Sequence, residues 1–457
     1  MLILGNNYEV RMNMLNKRLI AILIILAIGL IVRCILAPFS TGSDIAQFAG
    51  FADTFLRHGF CFYNYADASH WIEEKWPYNW PYNYGPIWIY VLGILRLFVQ
   101  SPIKTLWHHD TYIVYVPTDW IVAVKSVLIF FDTLVAILLY KYIRERHGYV
   151  LGILALTIYY LNPMTIYISA IYGMFDQLSL FFLMITLICL DKNKFLAGIF
   201  ASLSLLTKHV TLLPILTMIL YLTFIKKDYA RFLKGLILSA IIVMTPIIMF
   251  CPHSIINMFN VILFSSEPNY TYPIAYSFNG ISSIATLIHD KCPGCDTLWL
   301  ITSWYVLMGL LYCIVLAYLF STKKIVESIA LSYIVFTATY WRVNHQYLIL
   351  TIAFLIILFA KIRHHGIKLL SIFTALYIGL WPIFFPVSWW FHAHIEEPNK
   401  FLWRLLDSLS AMIFCDVFYA LYSLFLTLFQ YVIVIGTIYY DGRILDIILR
   451  KIASYRK

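Results

Sequence analysis

The segment "RLIAILIILAIGLIVRCILAPF", residues 18–39, is apolar over a length that crosses a lipid bilayer. A transmembrane helix needs about 20 consecutive, mainly apolar residues. Similar apolar runs recur along most of the chain, and no long polar stretch separates them. We therefore predict an all-α, polytopic integral membrane protein that forms one membrane-embedded unit. The first run is too long for a signal-peptide core and lacks a small-residue cleavage pattern, so we expect an uncleaved first span.

The composition also indicates a membrane protein. Of the 457 residues, 62% are hydrophobic and 18% are aromatic, and the mean hydropathy of +0.81 is far above that of soluble globular domains. The chain has 33 Lys and Arg against 23 Asp and Glu, a net charge of +10. In a soluble protein this excess would suggest a nucleic-acid partner. In a membrane protein the enrichment of cytoplasmic loops in Lys and Arg explains it, so we predict no nucleic-acid role.

Basic clusters lie between the apolar runs and mark the loops that stay in the cytoplasm. The segment "PIWIYVLGILRLFV", residues 86–99, is short for a span and is interrupted by Arg96. Most later basic residues fall on the cytoplasmic side only if this segment is an interfacial or re-entrant helix. We therefore predict a bundle of about 12 spans with both termini in the cytoplasm. The expected spans lie near residues 18–39, 117–140, 149–170, 177–190, 195–207, 211–225, 235–250, 298–320, 325–341, 346–360, 367–385 and 409–438.

Polar residues that the apolar pattern does not explain gather on the outer side of this topology. They are Asp44, Asp53, Asp176, Lys208, His209, Arg342 and His345. The sequon Asn269-Tyr270-Thr271 also lies in a predicted outer loop, residues 251–297, as a glycan acceptor must. We therefore expect a functional site on the extracytoplasmic or lumenal face.

The segment "SDIAQFAGFADTFLRHG", residues 43–59, has apolar residues at the spacing of an amphipathic helix. We predict a helix that lies along the outer surface. Ser43 is the expected N-cap, and Asp44 in the first turn suits the helix dipole. Stabilisation of this helix is one interpretation of Asp44, and a functional carboxylate is the other.

A second carboxylate, Asp176, begins an apolar run in "SAIYGMFDQLSLFFLMITLICL", residues 169–190. Placing an ionised carboxylate towards the bilayer centre costs about 2.5–3.5 kcal/mol on insertion scales. Such groups usually face a cavity. Asp176 therefore either lies among lipid headgroups at the end of a span or lines a polar, outward-facing cavity.

Two clusters of cationic and polar side chains are expected at outer turns. The clusters consist of Lys208 with His209, and of Arg342 with His345 and Gln346. Ammonium, guanidinium and imidazole groups suit a phosphate. The alternatives are a lysine that extends to the membrane interface and a satisfied interfacial pair at the second turn. Aromatic residues in "EEKWPYNWPYNYGPIW", residues 73–88, are either membrane-interface residues or platforms that stack on sugars.

Cys292 and Cys295 form a C-x-x-C pair on the predicted outer side. A metal site would need a second pair nearby, and only Cys61 and Cys251, each isolated, are predicted on that face. We therefore expect a loop disulfide between Cys292 and Cys295. The sequence contains no P-loop and no dinucleotide-binding fingerprint, so a nucleotide-sugar donor lacks support.

Six short motifs occur in a fixed order between residue 18 and about residue 350. They are Asp44 just after the first span, "RHGFCFYNY" (57–65), "YNYGPIWIYVLGIL" (82–95), "LNPMTIYISAIYGMFDQL" (161–178), "AGIFASLSLLTKHVTLLP" (197–214) and "NHQYLIL" (344–350). This order resembles the GT-C superfamily of membrane glycosyltransferases, which use polyprenyl-phosphate-linked sugars as donors. Met174 departs from the Gln common in that family, and Gly85 replaces the first Pro of its Tyr-Pro-Pro pattern. The large soluble C-terminal domain of oligosaccharyltransferases has no counterpart here, so we do not expect transfer of a whole oligosaccharide to protein.

The resemblance implies a role for each candidate residue. Asp44 would be the catalytic base, and Asp176 would be a second outer acid that orients the acceptor or balances Lys208. The donor lipid phosphate and its sugar would be held by Lys208, His209, Arg342, His345, Gln346 and Tyr84. We expect no metal and no cofactor besides the polyprenyl-phosphate sugar substrate, and we expect a monomer. Residues 1–250 would form the catalytic transmembrane module, including a first outer loop at 41–116, and residues 251–457 would complete the donor-lipid site.

The expected reaction is transfer of one hexose, with mannose or glucose favoured, to a lipid-linked glycan or another outer-face acceptor. Two alternatives remain at this point. A secondary transporter would use intramembrane Asp and Lys to couple ions to a substrate. A lipid-linked polysaccharide polymerase or ligase would use the same donors.

Overall fold

The computed structural model describes residues 2–108, 111–264, 279–292, 294–295, 297–384, 393–395, 408 and 416–442. Most of these residues are helical, and the all-α, multi-spanning architecture is confirmed. The predicted sequon at Asn269 lies outside the described residues, as do the first seven residues of the last predicted span.

The helices of the first half precede residue 251, and from α4 onward they are connected by short turns. They are α1 (Leu2–Leu36), α2 (Ser43–His58), α3 (Pro86–Phe98), α4 (Thr118–His147), α5 (Tyr149–Tyr160), α6 (Pro163–Ile166), α7 (Asp176–Cys189), α8 (Lys194–Thr207), α9 (Leu212–Leu220) and α10 (Ala230–Phe250). A π-helix at Tyr167–Tyr172 continues α6.

The second half contributes another series of helices. They are α11 (His253–Phe264), α12 (Ile281–Lys291), α13 (Leu298–Thr302), α14 (Trp304–Thr322), α15 (Ile325–Thr339), α16 (Leu348–Lys361), α17 (His365–Ile378), α18 (Trp381–Phe384) and α19 (Asp416–Gly442). Helices α15 and α16 are buried along nearly their whole length. In contrast, α1 and α14 expose most of their apolar side chains, which suits contact with lipid.

Seven helical segments within the described ranges are long and apolar enough to cross a membrane. They are Asn16–Phe39, Thr118–His147, His209–Lys226, Ala230–Phe250, Trp299–Thr322, His365–Phe384 and Leu421–Tyr440. The pair Tyr149–Tyr160 and Pro163–Tyr172, which is bent by 49°, is long and apolar enough only when its two helices are taken as one span. Pro163 causes this break, because a proline disfavours helical geometry in the residue before it and cannot donate a backbone hydrogen bond.

The predicted count of about 12 spans is not confirmed. Four of the predicted spans are short apolar helices, at Asp176–Cys189, Lys194–Thr207, Ile325–Thr339 and His345–Lys361. A helix of 14 residues, such as α7, is about 21 Å long, against a hydrocarbon core of about 30 Å. Sequence hydropathy detects such buried helices but does not reveal whether they reach both surfaces.

Helix α2 forms where predicted, with Ile45, Phe48, Ala49 and Ala52 buried, but Gln47 and Phe51 on its other faces are buried too, so α2 is enclosed on most sides and does not lie with one face open to the surface. The expected N-cap was wrong, because Ser43 is already helical and Gly42 precedes the helix without a side-chain cap. Helix α3, the predicted interfacial segment, has 13 residues. Its Arg96 forms two hydrogen bonds to Asp53 of α2, at 2.6 and 3.0 Å, so this carboxylate fixes α3 to α2.

A small sheet, which the sequence pattern did not predict, joins distant parts of the chain. Strands β1 (Lys104–His108) and β2 (Thr111–Val116) are antiparallel. Strand β3 (Ala393–Ile395) pairs with β2 in parallel, with Val114 opposite Ala393. The first outer loop thus contacts the C-terminal half through backbone hydrogen bonds.

A buried ion pair links α1 to α4. Arg33 and Asp132 are both fully buried, with a 2.7 Å contact between Nη2 and Oδ2. Arg33 also donates to Ser169 Oγ, Thr165 Oγ1 and two backbone carbonyls. Because a buried charge is tolerated only when it is paired and hydrogen-bonded, this cluster is a structural connection between the first two long spans and the π-helix.

Two disulfides are present among the described cysteines. The expected bond between Cys292 and Cys295 is confirmed. The expectation that Cys61 and Cys251 are isolated was wrong, because they are bonded to each other across a separation of 190 residues. This bond fixes the first outer loop to the end of α10, and sequence spacing alone gives no indication of such a distant pairing.

Replacing Cys61 and Cys251 together with serine is expected to lower the free energy of unfolding by about 2–5 kcal/mol. A bond across so long a separation restricts the unfolded chain strongly. The matched control replaces Cys292 and Cys295, whose separation is only 3 residues. Its free energy of unfolding should fall by much less. Thermal unfolding in detergent measures both variants, and equal losses would contradict this prediction.

Candidate functional site

The first pair of the site is the buried ion pair between Asp176 and Lys208. Gly173, with φ of +92°, ends the π-helix in a conformation that favours glycine, and α7 then begins at Asp176. Lys208 is the extended residue between α8 and the short turn before α9. Its Nζ donates to both carboxylate oxygens of Asp176, at 2.9 and 2.7 Å, and both side chains are fully buried.

Three aromatic rings surround the ammonium of Lys208. The distances from Nζ to the ring centroids are 5.5 Å for Tyr84, 5.1 Å for Phe175 and 4.8 Å for Tyr347. This enclosure matches the alternative in which Asp176 balances Lys208. Because Lys208 has no exposed surface in this arrangement, its direct contact with a phosphate stays a prediction.

The second carboxylate, Asp44, is only partly buried. Tyr172 donates a hydrogen bond to its Oδ2 at 2.5 Å. Loss of surrounding water raises the pKa of Asp44 above its ordinary value. The Tyr172 hydrogen bond and the charge of Lys208 lower this pKa, and the charge of Asp176 raises it, but the loss of water is the largest effect. Asp44 is therefore a partly exposed carboxylate that binds a proton more readily than usual.

His345 and Gln346 lie behind this carboxylate. His345 is 3% exposed; its ring stacks on Trp381 at 4.7 Å and meets the edge of Tyr172 at 4.5 Å. It thus contacts the tyrosine that bonds Asp44. Gln346 is also buried, and its Oε1 has no hydrogen-bond partner among the described residues.

Arg342 is the accessible cation of the site. Its side chain is exposed, and it forms no ion pair with any residue that the structure describes. Burial raises the pKa of Tyr84, the charges of Asp44 and Asp176 raise it further, and Arg342 lowers it. Arg342 lies three residues before His345, whose ring contacts Tyr172, the tyrosine that bonds Asp44.

Two other polar side chains near these residues have buried polar atoms without a hydrogen-bond partner in the described part of the chain. His209, which follows Lys208, has an unpartnered Nδ1. Gln177, which follows Asp176, is fully buried with neither amide atom hydrogen-bonded. Sequence reasoning missed Gln177 and Tyr172, and the only signal for them is that they flank the Gly-Met-Phe-Asp motif.

Gly85 has a packing reason in this structure. A Cβ atom built at this position would collide with the backbone carbonyl of Leu206 in α8. The loop that carries Tyr84 therefore approaches α8 closely only with glycine at position 85. This contact explains why Gly85 occupies the place of the first proline in the family pattern.

A cavity of about 200 Å³ lies where α12, α13, α14 and the end of α15 meet. Its lining is rich in indole rings and includes Trp341, the residue before Arg342. The lining residues are Ser282, Trp299, Leu300, Ser303, Trp304, Leu307, Thr339 and Trp341. No cluster of three or more metal-ligating side chains occurs in the described ranges, and the expectation that no metal is used stays a prediction.

Comparison with known proteins assigns the family. The model of glycosyltransferase family 87 matches residues 84–341, which is more than half of the chain. The matched region contains Tyr84, Asp176 and Lys208, whereas Asp44 precedes it and Arg342 directly follows it. No curated protein matches the chain. The chain therefore belongs to glycosyltransferase family 87, a membrane family of GT-C type, and is an integral membrane glycosyltransferase.

Proposed function

We propose that the enzyme transfers a single hexose, with mannose or glucose favoured, from a polyprenyl-phosphate donor to an acceptor on the extracytoplasmic or lumenal face. The acceptor class is a lipid-linked glycan or another outer-face hydroxyl compound, and the anomeric configuration inverts. One observation carries this proposal. The partly exposed carboxylate of Asp44 and the turn that carries the exposed Arg342 meet at Tyr172, which donates a hydrogen bond to Asp44 and contacts the His345 ring at 4.5 Å.

The chemistry needs one base. The acceptor oxygen attacks the anomeric carbon of the donor sugar, and its proton passes to the carboxylate of Asp44. The bond between the anomeric carbon and the phosphate oxygen breaks, and its electron pair leaves with the phosphate. Because this leaving group is already an anion, it needs no general acid, unlike the leaving group of a glycosidase. The raised pKa of Asp44 suits proton acceptance.

The cations would act on the leaving phosphate. The exposed Arg342 would bind it directly, since guanidinium groups bind phosphate through two parallel hydrogen bonds. Lys208, enclosed behind Tyr84 and Tyr347, would act at longer range in a water-free surrounding. His345 would support Asp44 through Tyr172, and His209 and Gln346 would supply polar atoms to the donor. These roles are part of the proposal.

The cavity beside Trp341 suits the apolar end of the donor. Five of its eight lining residues are Trp or Leu, and Thr339 Oγ1 is already bonded to the carbonyl of Val335. The first isoprene units would therefore occupy this cavity once the phosphate meets Arg342.

Two observations support an outer-face site. Disulfides persist in oxidising compartments, and the Cys61–Cys251 and Cys292–Cys295 bonds belong to loops predicted on the same side as the site. The basic clusters lie on the opposite side of the predicted topology. Membership of a glycosyltransferase family favours the transferase over the transporter alternative, and no structural observation favours a polymerase or ligase.

The direct test incubates the purified protein in lipid nanodiscs with polyprenyl-phosphate mannose or glucose and a lipid-linked acceptor. The expected result is release of free polyprenyl phosphate together with a glycosylated acceptor. Nucleotide sugars serve as the control donors and should give no product. Transfer from a nucleotide sugar, or no transfer from either prenyl donor by folded protein, would overturn the proposal.

Replacing Arg342 with glutamine is expected to raise the KM for the donor by about 10- to 150-fold, because hydrogen bonds to charged groups contribute about 1.5–3 kcal/mol. The Arg342→Lys variant keeps the charge but loses the bidentate hydrogen-bond geometry, so its KM for the donor should lie between those of wild type and Arg342→Gln. Lys75→Gln removes an exposed charge from the first outer loop and is the matched control. An unchanged KM in Arg342→Gln would show that the phosphate binds elsewhere.

A further inference from the structure

Lys125 in α4 is a fully buried cation outside the proposed donor site. It forms no ion pair with any residue that the structure describes. Its Nζ instead meets backbone carbonyls, at 3.1 Å from Ala37, 2.7 Å from Ala170 and 2.9 Å from Ile171, and it also bonds the carbonyl of Ser40. A buried lysine that bonds only main-chain carbonyls and one serine hydroxyl needs a physical reason.

The ends of two helical segments provide that reason. Helix α1 continues into a 3₁₀ turn at Ala37–Phe39, and the π-helix ends at Tyr172. The last carbonyls of a helix have no intrahelical donor, and each helix C-terminus carries about half a negative charge. Two converging C-termini therefore balance roughly one ammonium, which explains why Lys125 has no carboxylate partner.

The same two segments carry the Asp44–Tyr172 pair. Ser40 Oγ donates to the carbonyl of Ile171 at 3.2 Å, and the backbone N–H of Gly42 donates to the carbonyl of Tyr172 at 2.6 Å. Asp44 follows Gly42 by two residues, and its hydrogen bond from Tyr172 completes the contact between the segments. Lys125 therefore lies at the base of a junction whose outer end is the proposed catalytic carboxylate.

We propose that Lys125 is a positioning residue for the transfer reaction. It fixes the end of α1 against the end of the π-helix, so that Asp44 and Tyr172 keep the geometry in which the carboxylate accepts the acceptor proton. This inference rests on the proposed role of Asp44 as the base. Lys125 itself contacts neither donor nor acceptor.

The first test is Lys125→Met, which keeps an unbranched side chain only one atom shorter but removes the donor and the charge. A misplacement of about 1 Å at a reacting group costs on the order of 100-fold, so kcat should fall by about 100-fold. The KM for the prenyl donor should stay within about threefold, because binding at Arg342 is not changed. The Lys125→Arg variant restores a cation with several donors and should recover part of kcat.

The control is the double variant Thr217→Val, Tyr312→Phe. It removes a buried 3.1 Å hydrogen bond between α9 and α14, neither of which bonds Lys125. Its thermal midpoint should fall, but its kcat should stay within about threefold of wild type. This comparison separates loss of stability from loss of positioning.

A double-mutant cycle with Tyr172→Phe gives a readout that a general structural role would not produce. Tyr172→Phe alone should lower kcat by about tenfold, through loss of one hydrogen bond to a carboxylate. If Lys125 acts through the Asp44–Tyr172 pair, the kcat of the Lys125→Met, Tyr172→Phe variant should be about 100-fold below wild type. This loss is no larger than that of Lys125→Met alone. Independent effects would multiply to about 1000-fold, and this result would overturn the inference.

The remaining outcomes also decide the inference. Full kcat in Lys125→Met, with Asp44→Asn inactive, would overturn the role of Lys125 alone. Full kcat in Asp44→Asn would overturn the proposed base and the inference with it. If Lys125→Met does not fold, the same cycle with Lys125→Arg applies, and multiplicative losses there would likewise contradict the inference.

Discussion

Replacing Asp44 with asparagine is expected to lower kcat by about 10²- to 10⁴-fold, the usual contribution of a general base. Asparagine keeps the shape of the side chain and accepts the hydrogen bond from Tyr172, but it does not accept the acceptor proton. The KM for the donor should change little. The measurement is the rate of polyprenyl phosphate release at saturating donor and acceptor.

The matched control is Asp53→Asn on the same helix. Asp53 is paired with the buried Arg96 and its own side chain is 42% exposed, so Asp53→Asn, which keeps one oxygen that accepts from Arg96, should cost about 1–3 kcal/mol of stability and leave kcat within a few fold. Equal activity losses in Asp44→Asn and Asp53→Asn would mean that neutralising either carboxylate of α2 disturbs the enzyme. This outcome would remove the evidence for Asp44 as the base. Full activity in Asp44→Asn would contradict the role directly.

Replacing Lys208 with methionine should destabilise the protein by about 3–5 kcal/mol, because it leaves the carboxylate of Asp176 buried without a partner. Removing both charges, as in Asp176→Leu with Lys208→Met, should restore most of this loss, since a buried ion pair often exchanges for apolar residues at little cost. Thermal unfolding of the two variants in the same detergent measures the difference.

The activity of the double variant tests the proposed electrostatic role. Stability should recover while kcat stays below that of wild type, because no buried ammonium remains behind the leaving phosphate. Recovery of both stability and kcat would show that Lys208 serves the fold alone. A double variant as unstable as Lys208→Met would contradict the compensation between the two charges.

The helical membrane architecture is predictable because apolar length and basic clusters are local properties of the sequence. Features that depend on distant pairing are not local. The parallel contact between β2 and β3 and the Cys61–Cys251 bond leave no periodic signal. The buried Arg33–Asp132 pair cannot be predicted either, because its two residues are far apart in the sequence. Each charge alone is only an isolated interruption of an apolar run.

The sequence also indicates which residue types to examine in the site, but not how each is exposed. Arg342 and Lys208 look equivalent as candidate phosphate ligands, yet Arg342 is exposed and Lys208 is enclosed by Tyr84, Phe175 and Tyr347. These rings come from three separate segments, so only the folded chain shows the difference. Similarly, the contact of Tyr172 with Asp44 joins residues 128 positions apart.

The most direct measurement is a cryo-electron microscopy structure of the enzyme with a polyprenyl-phosphonate sugar, a donor analogue whose sugar is not transferred. The expected density places the phosphonate against Arg342 and the sugar ring between Arg342 and Asp44, with the anomeric carbon on the side of the carboxylate. A phosphonate bound away from Arg342, or a different carboxylate beside the anomeric carbon, would contradict the proposed site.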